Sequence, residues 1–179
     1  MKRTAPALVF VFLLNGAAAS AEDTTAGATP PAPAPCSAPE NRQFDFWIGS
    51  WNVENPSGVF VGTNDITPIL GGCALEENWK GAKGLVGKSL NTWDVLDRRW
   101  HQTWIDSSGN LLKLSGGFTD GKMVLSGEQP VTDKPGATVR HRITWTPLET
   151  NRVRQFWETS SDNGVTWAVA FDGLYVRKV

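Results

Sequence analysis

From Glu40 onward the chain repeats one texture: short runs of alternating apolar and polar residues, separated by clusters of Gly, Pro, Asn and Asp. A period of two marks a half-buried strand, and the intervening residue types are those that tight reversals need. Turn signals include Asn55-Pro56-Ser57-Gly58, Gly71-Gly72, Ser107-Ser108-Gly109-Asn110, Thr119-Asp120-Gly121-Lys122 and Ser161-Asp162-Asn163-Gly164. Between the turns the pattern predicts strands near 51–55, 60–69, 73–80, 86–94, 99–106, 111–118, 122–128, 138–146, 152–160 and 166–177. Asn41 to Ile48 has room for a helical turn or two before the first strand. The fold expected is all-β, an up-and-down antiparallel barrel of about ten strands, because closure removes exposed sheet edges.

Alternation also predicts which side chains share a wall. One face carries Cys73, Leu75, Glu77 and Trp79; then Gly87, Ser89, Asn91 and Trp93; then Trp100, Gln102, Trp104 and Asp106. It continues with Val139, His141, Ile143 and Trp145, and with Val153, Gln155, Trp157 and Thr159. The opposite faces, with Glu76, Lys88, Arg140, Arg142, Arg154 and Glu158, belong in water.

Glu77, Asn91, Gln102, His141 and Gln155 are thereby expected to meet inside, walled by Trp79, Trp93, Trp104, Trp145 and Trp157. An aromatic cavity with a few convergent polar groups is the usual form of a small-molecule site. It suits a carrier or sensor of a small apolar or aromatic ligand. In an enzyme of isomerase or lyase type, Glu77 would be the general acid/base, its pKa raised by the apolar wall. His141 would be the second proton carrier, and Gln102 or Asn91 would orient a carbonyl. In a structural or interaction module the polar residues would only satisfy buried indole N–H groups. All three readings stay open at the level of sequence.

The N-terminus sets the expected compartment. Lys2-Arg3, the apolar run Ala7 to Leu14 and Ala19-Ser20-Ala21 form a secretory signal, with cleavage expected after Ala21 and a periplasmic or secreted product. The apolar run is shorter than the roughly 20 residues that span a bilayer, so no membrane insertion is expected. Residues 22–39, rich in Ala, Pro and Thr, read as an extended leader, and 40–179 as the barrel domain.

Cleavage would leave 15 basic and 18 acidic residues, a net charge of −3 without a basic stretch. That disfavours a nucleic-acid partner or an anionic membrane surface. Cys36 and Cys73, alone in an exported chain, are expected to form a disulfide. With two His, and with no Cys-x-x-Cys, nucleophile elbow, His-Glu-x-x-His or phosphate-cradling loop, no metal, cofactor or particular reaction is expected.

Within Phe44-Asp45-Phe46-Trp47-Ile48-Gly49-Ser50-Trp51, the triplet Gly49-Ser50-Trp51 resembles the Gly-x-Trp at the first strand of lipocalins. There the Trp plugs the closed end and the Gly permits a tight backbone approach, so Trp51 is expected to be structural. The longer pattern adds Gly71-Gly72-Cys73 with Glu77 and Trp79, the run Arg99 to Gly109, and Phe171-Asp172-Gly173-Leu174-Tyr175. Together these resemble a bacterial family of unknown function placed near the lipocalin-like (calycin) barrels, over residues 41–178. The resemblance implies a fold and carries no catalytic residues. Some ten-stranded barrels of that kind hold haem through one His, but neither His101 nor His141 sits at a matching position. Finally, Ser160, Asp162, Gly164, Thr166 and Trp167 fit one Asp-box. A propeller needs several at blade spacing, so the single copy predicts a well-made hairpin.

Overall fold

The structure is a computed structural model that describes residues 34–132, 134–149 and 151–179. The signal segment, the cleavage expected after Ala21 and the leader up to Pro33 lie outside the described residues. Ten strands follow two 3-10 turns, Pro39–Arg42 and Asp45–Trp47. The strands are β1 (Gly49–Glu54), β2 (Phe60–Ile69), β3 (Ala74–Gly81), β4 (Val86–Asp94), β5 (Arg99–Asp106), β6 (Leu111–Thr119), β7 (Lys122–Pro130), β8 (Thr138–Glu149), β9 (Arg152–Ser160) and β10 (Ala168–Arg177). Each pairs antiparallel with its neighbour in sequence, and β1 pairs with β10 to close the barrel. Among the described residues, no helix is long and apolar enough to cross a membrane.

Strand boundaries differ from the alternation pattern where local chemistry intervenes. β8 runs on through Pro147 to Glu149, past the expected end at 146, because a register shift there accommodates the proline. β10 starts at Ala168 and not at 166, because Thr166 and Trp167 serve the preceding turn. The Thr166 amide donates to the Asp162 carboxylate at 2.9 Å, and Trp167 Nε1 donates to Gly164 O at 3.1 Å. The Asp-box sequence thus builds the hairpin expected of it. Between β6 and β7 the chain reverses at Asp120 and Gly121, both with positive φ (49° and 74°), the two-residue turn whose twist matches the strands.

One end of the barrel is plugged. The second 3-10 turn brings Phe44 and Trp47, both fully buried, against Trp51, Ile66, Leu75, Trp100, Met123, Trp145 and Tyr175. Phe44 stacks on Trp47 at 4.8 Å and meets Trp145 edge-on at 5.2 Å, geometries that aromatic pairs favour. Trp51 Nε1 donates to Trp47 O at 2.9 Å, and the Arg177 guanidinium lies 4.3 Å above the Trp51 ring. Gly49, at φ 141°, leaves room for that guanidinium, which donates to Ile48 O at 3.0 Å. A Cβ at Gly49 would overlap the Arg177 head group. The triplet therefore builds the plug: the glycine admits a cation, and the tryptophan receives it.

The Cys36–Cys73 disulfide, with Cα atoms 5.0 Å apart, ties the chain before the first 3-10 turn to the residue preceding β3, at this same end. Outside, cross-strand ion pairs Glu76–Lys88, Arg142–Glu158 and Arg154–Asp172 occupy the faces expected to meet water.

Candidate functional site

Above the plug the inner wall turns polar. Along β3, β5 and β9 the inward side chains run Leu75–Glu77–Trp79, Trp100–Gln102–Trp104 and Val153–Gln155–Trp157, each from closed to open end. A period-two pattern read along three strands in register stacks into layers: an apolar base, a polar middle and an aromatic mouth.

The polar middle is one hydrogen-bonded chain. Gln102 Nε2 donates to Asn91 Oδ1 at 2.8 Å, Asn91 Nδ2 to Ser89 Oγ at 2.9 Å, and Ser89 Oγ to Glu77 Oε2 at 2.6 Å. From the other side Asn64 Nδ2 donates to Glu77 Oε1 at 2.7 Å and to Tyr175 Oη at 3.2 Å, while the Tyr175 hydroxyl donates to Gln155 Oε1. Glu77 is 4% exposed, and no cation pairs with it among the described residues. Burial raises its carboxyl to about 7, against the smaller lowering effect of the bonds from Ser89 and Asn64. Tyr175 is pushed well above its ordinary value by burial and by the adjacent Glu77 charge.

Over this chain lies a cavity of about 160 Å³. Its inner lining is Glu77, Gln102, Leu112, Ile143, Gln155 and Tyr175, all buried. Its outer lining is the half-buried Trp79, Trp104, Trp157 and Phe171, with the exposed Leu85 at the rim. Glycines on adjacent strands make room for two of the indoles. A Cβ at Gly62 would come within 2.8 Å of the Trp79 ring, and one at Gly87 would collide with the Trp104 ring. Trp104 is also held by Nε1 donating to Asp106 Oδ2 at 3.1 Å.

The structure sorts the residues expected from alternation into different places. Glu77, Trp79, Gln102, Trp104, Gln155 and Trp157 line the cavity. Asn91 sits behind them as a link in the hydrogen-bonded chain and does not line it. Trp93 and Trp145 lie nearer the closed end, opposite Trp100 and Gln155. Trp145 belongs to the plug, and Trp93 packs against it, paired with Trp100. His141 lies outside the Glu77 chain: its Nδ1 accepts from Trp157 Nε1 at 3.1 Å, and burial holds it below the ordinary histidine value.

Asn64 and Tyr175 are the linking residues that the sequence reading missed. The alternations Gly62–Asn64–Ile66 and Phe171–Gly173–Tyr175, on the two strands beside β1, carried that signal. Nor do the polar residues serve mainly to satisfy the indoles. None of Glu77, Asn91, Gln102 or Gln155 bonds a tryptophan N–H; only His141 does.

Elsewhere, Asp94, Asp97 and His101 cluster at the β4–β5 turn. Their atoms are engaged in the turn itself: Asp94 caps the Leu96 amide at 2.7 Å, Asp97 caps that of Arg99 at 3.1 Å, and Asp97 pairs with His101 at 2.7 Å.

Comparison with protein-family models and with curated proteins found no match to this chain.

Proposed function

We propose that the barrel binds a small, ring-bearing, largely apolar molecule in this cavity, as a carrier or sensor exported to an oxidising compartment. The observation that carries the reading is the pairing of an indole-walled mouth with a floor whose polar groups are only partly used. Gln102 Oε1 and Gln155 Nε2 accept and donate no hydrogen bond among the described residues, although both side chains line the cavity. Both atoms are thereby left to bond a guest. Size supports a single ring, since an apolar cavity of roughly 150 Å³ takes a benzene-sized guest. The Cys36–Cys73 disulfide supports the compartment. Membership of the lipocalin-like family that the opening motif resembles is part of the same proposal, supported by Gly49 and Trp51 in the plug.

The test is titration of the disulfide-intact protein with benzyl alcohol, followed by tryptophan fluorescence. Saturable quenching is expected, and Trp104→Ala should weaken it. Absence of saturable binding would remove the proposal.

A second reading is favoured by one observation, the raised carboxyl of Glu77 in the cavity lining. A group titrating near neutral pH is poised for proton transfer to a bound substrate. Glu77→Gln separates the two: an enzyme would keep neutral-ligand binding and lose roughly 10²–10⁴ in turnover.

A further inference from the structure

We propose that the ligand carries a protonated amine, which seats on the Glu77 carboxylate while its ring lies among Trp79, Trp104 and Trp157. This rests on the ligand-binding reading above and names the chemical class.

Ser89 Oγ accepts from Asn91 Nδ2 at 2.9 Å and from Gln102 Nε2 at 3.4 Å, so its single hydrogen is committed to Glu77. Asn64 likewise donates to the other carboxyl oxygen. Both oxygens therefore accept, so the hydrogen bonds favour the ionised carboxylate while burial, the larger effect, opposes it. A buried carboxylate is costly unless a cation meets it. Among the described residues none does, and the one open side of Glu77 is the cavity.

The rest of the cavity fits a cation as well. Gln102 Oε1 offers a second acceptor, and an ammonium has donors to spare. The volume limits the guest to about one ring and a short arm.

The groups facing Glu77 are otherwise neutral: Asn64 from β2, Ser89 and Asn91 from β4, Gln102 from β5, Gln155 from β9 and Tyr175 from β10. Tyr175 stays protonated, its hydroxyl held well above its ordinary value. At the rim, burial pushes Asp106 up, but hydrogen bonds from Ser108 and Trp104 outweigh it, so Asp106 is ionised through the neutral range. Of the groups that line the cavity, Glu77 is the one whose carboxyl burial raises into this range.

The experiment compares benzylamine, benzyl alcohol and benzoate on the disulfide-intact full chain at pH 8 and pH 5.5, by calorimetry and tryptophan fluorescence. At pH 8 benzylamine should bind about ten- to a hundred-fold more tightly than benzyl alcohol, the range of a charge-assisted bond over a neutral one. Benzoate should bind weakest. Glu77→Gln should abolish the amine preference, read as the ratio of benzylamine to benzyl alcohol affinity within the variant. Should that variant fail to fold, the wild-type ratio reads the same contact: it should shrink at pH 5.5, where Glu77 takes up a proton. Equal or tighter binding of benzyl alcohol at pH 8, or a preference that survives Glu77→Gln, overturns the amine while leaving a ring-binding barrel intact. Failure of all three probes to bind overturns both readings.

Discussion

The indole N–H of Trp157 donates to His141 Nδ1 at 3.1 Å, so a residue that does not line the cavity holds part of its wall in place. The bond fixes the tautomer, with the imidazole hydrogen on Nε2, an atom without a partner among the described residues. His141→Phe keeps the ring shape and removes the acceptor. It should cost about 1–3 kcal/mol in urea unfolding and weaken benzyl alcohol binding by loosening Trp157. Stability equal to wild type would mean that packing alone holds the indole.

Glu77 and His141 give opposite pH slopes. The folded state raises Glu77 from 4.5 to about 7, so it favours the protonated form. Its contribution is complete below about pH 4.5 and is lost as pH rises through 7, on the order of 3 kcal/mol for a shift of this size. For His141 the folded value lies below the ordinary 6.5, so its contribution holds above 6.5 and is lost as pH falls. Chemical denaturation of wild type and Glu77→Gln from pH 5 to pH 8 isolates the carboxyl. The difference between the two should tilt toward the variant as pH rises. A difference independent of pH would show that Glu77 titrates alike in the folded and unfolded chains.

Gly87→Ala tests the clearance beside Trp104. The added methyl would collide with the indole and also come within 3.1 Å of Ile105 O. Displacement of the ring into the cavity should weaken benzyl alcohol binding roughly tenfold or more, with a stability loss of about 1–3 kcal/mol typical of overpacking. Unaltered affinity would show that the ring has room to swing outward.

Most of the barrel was legible because alternation and turn chemistry agree along the whole domain. β2, β4, β5 and β9 begin and end where the pattern placed them. Facing was equally legible: Glu77, Gln102 and Gln155 are all buried on the inner wall. Height along the barrel axis was not. Trp104 and Trp145 share the same alternating phase, yet one stands at the mouth and the other in the plug. Depth depends on how antiparallel strands stagger against one another, and a pattern within one strand carries no record of that. The same reason separates His141 from Glu77.

The disulfide closes a loop across a sequence separation of 37 residues at the plugged end, away from the mouth. Replacing both cysteines with serine should cost about 4 kcal/mol on the chain-entropy account, read as a lower urea midpoint. Binding of benzyl alcohol to the still-folded variant should be unchanged. Weakened binding would mean that the plug transmits strain to the cavity.

Nine of the ten strand pairings join neighbours in sequence, and only β1 with β10 brings together opposite ends of the domain. Hairpins of the first kind form by short, fast searches, whereas the last seam must gather a long span of chain before any contact rewards it. Trp51 and Arg177 face each other across that seam. Arg177→Ala should therefore accelerate unfolding in stopped-flow experiments and leave refolding nearly unchanged, the signature of a contact made after the rate-limiting step. Slower refolding would instead place the seam in the folding nucleus. With the seam as the last pairing made, the lifetime of the closed ring depends on one strand pair and is separable from the speed with which the meander assembles.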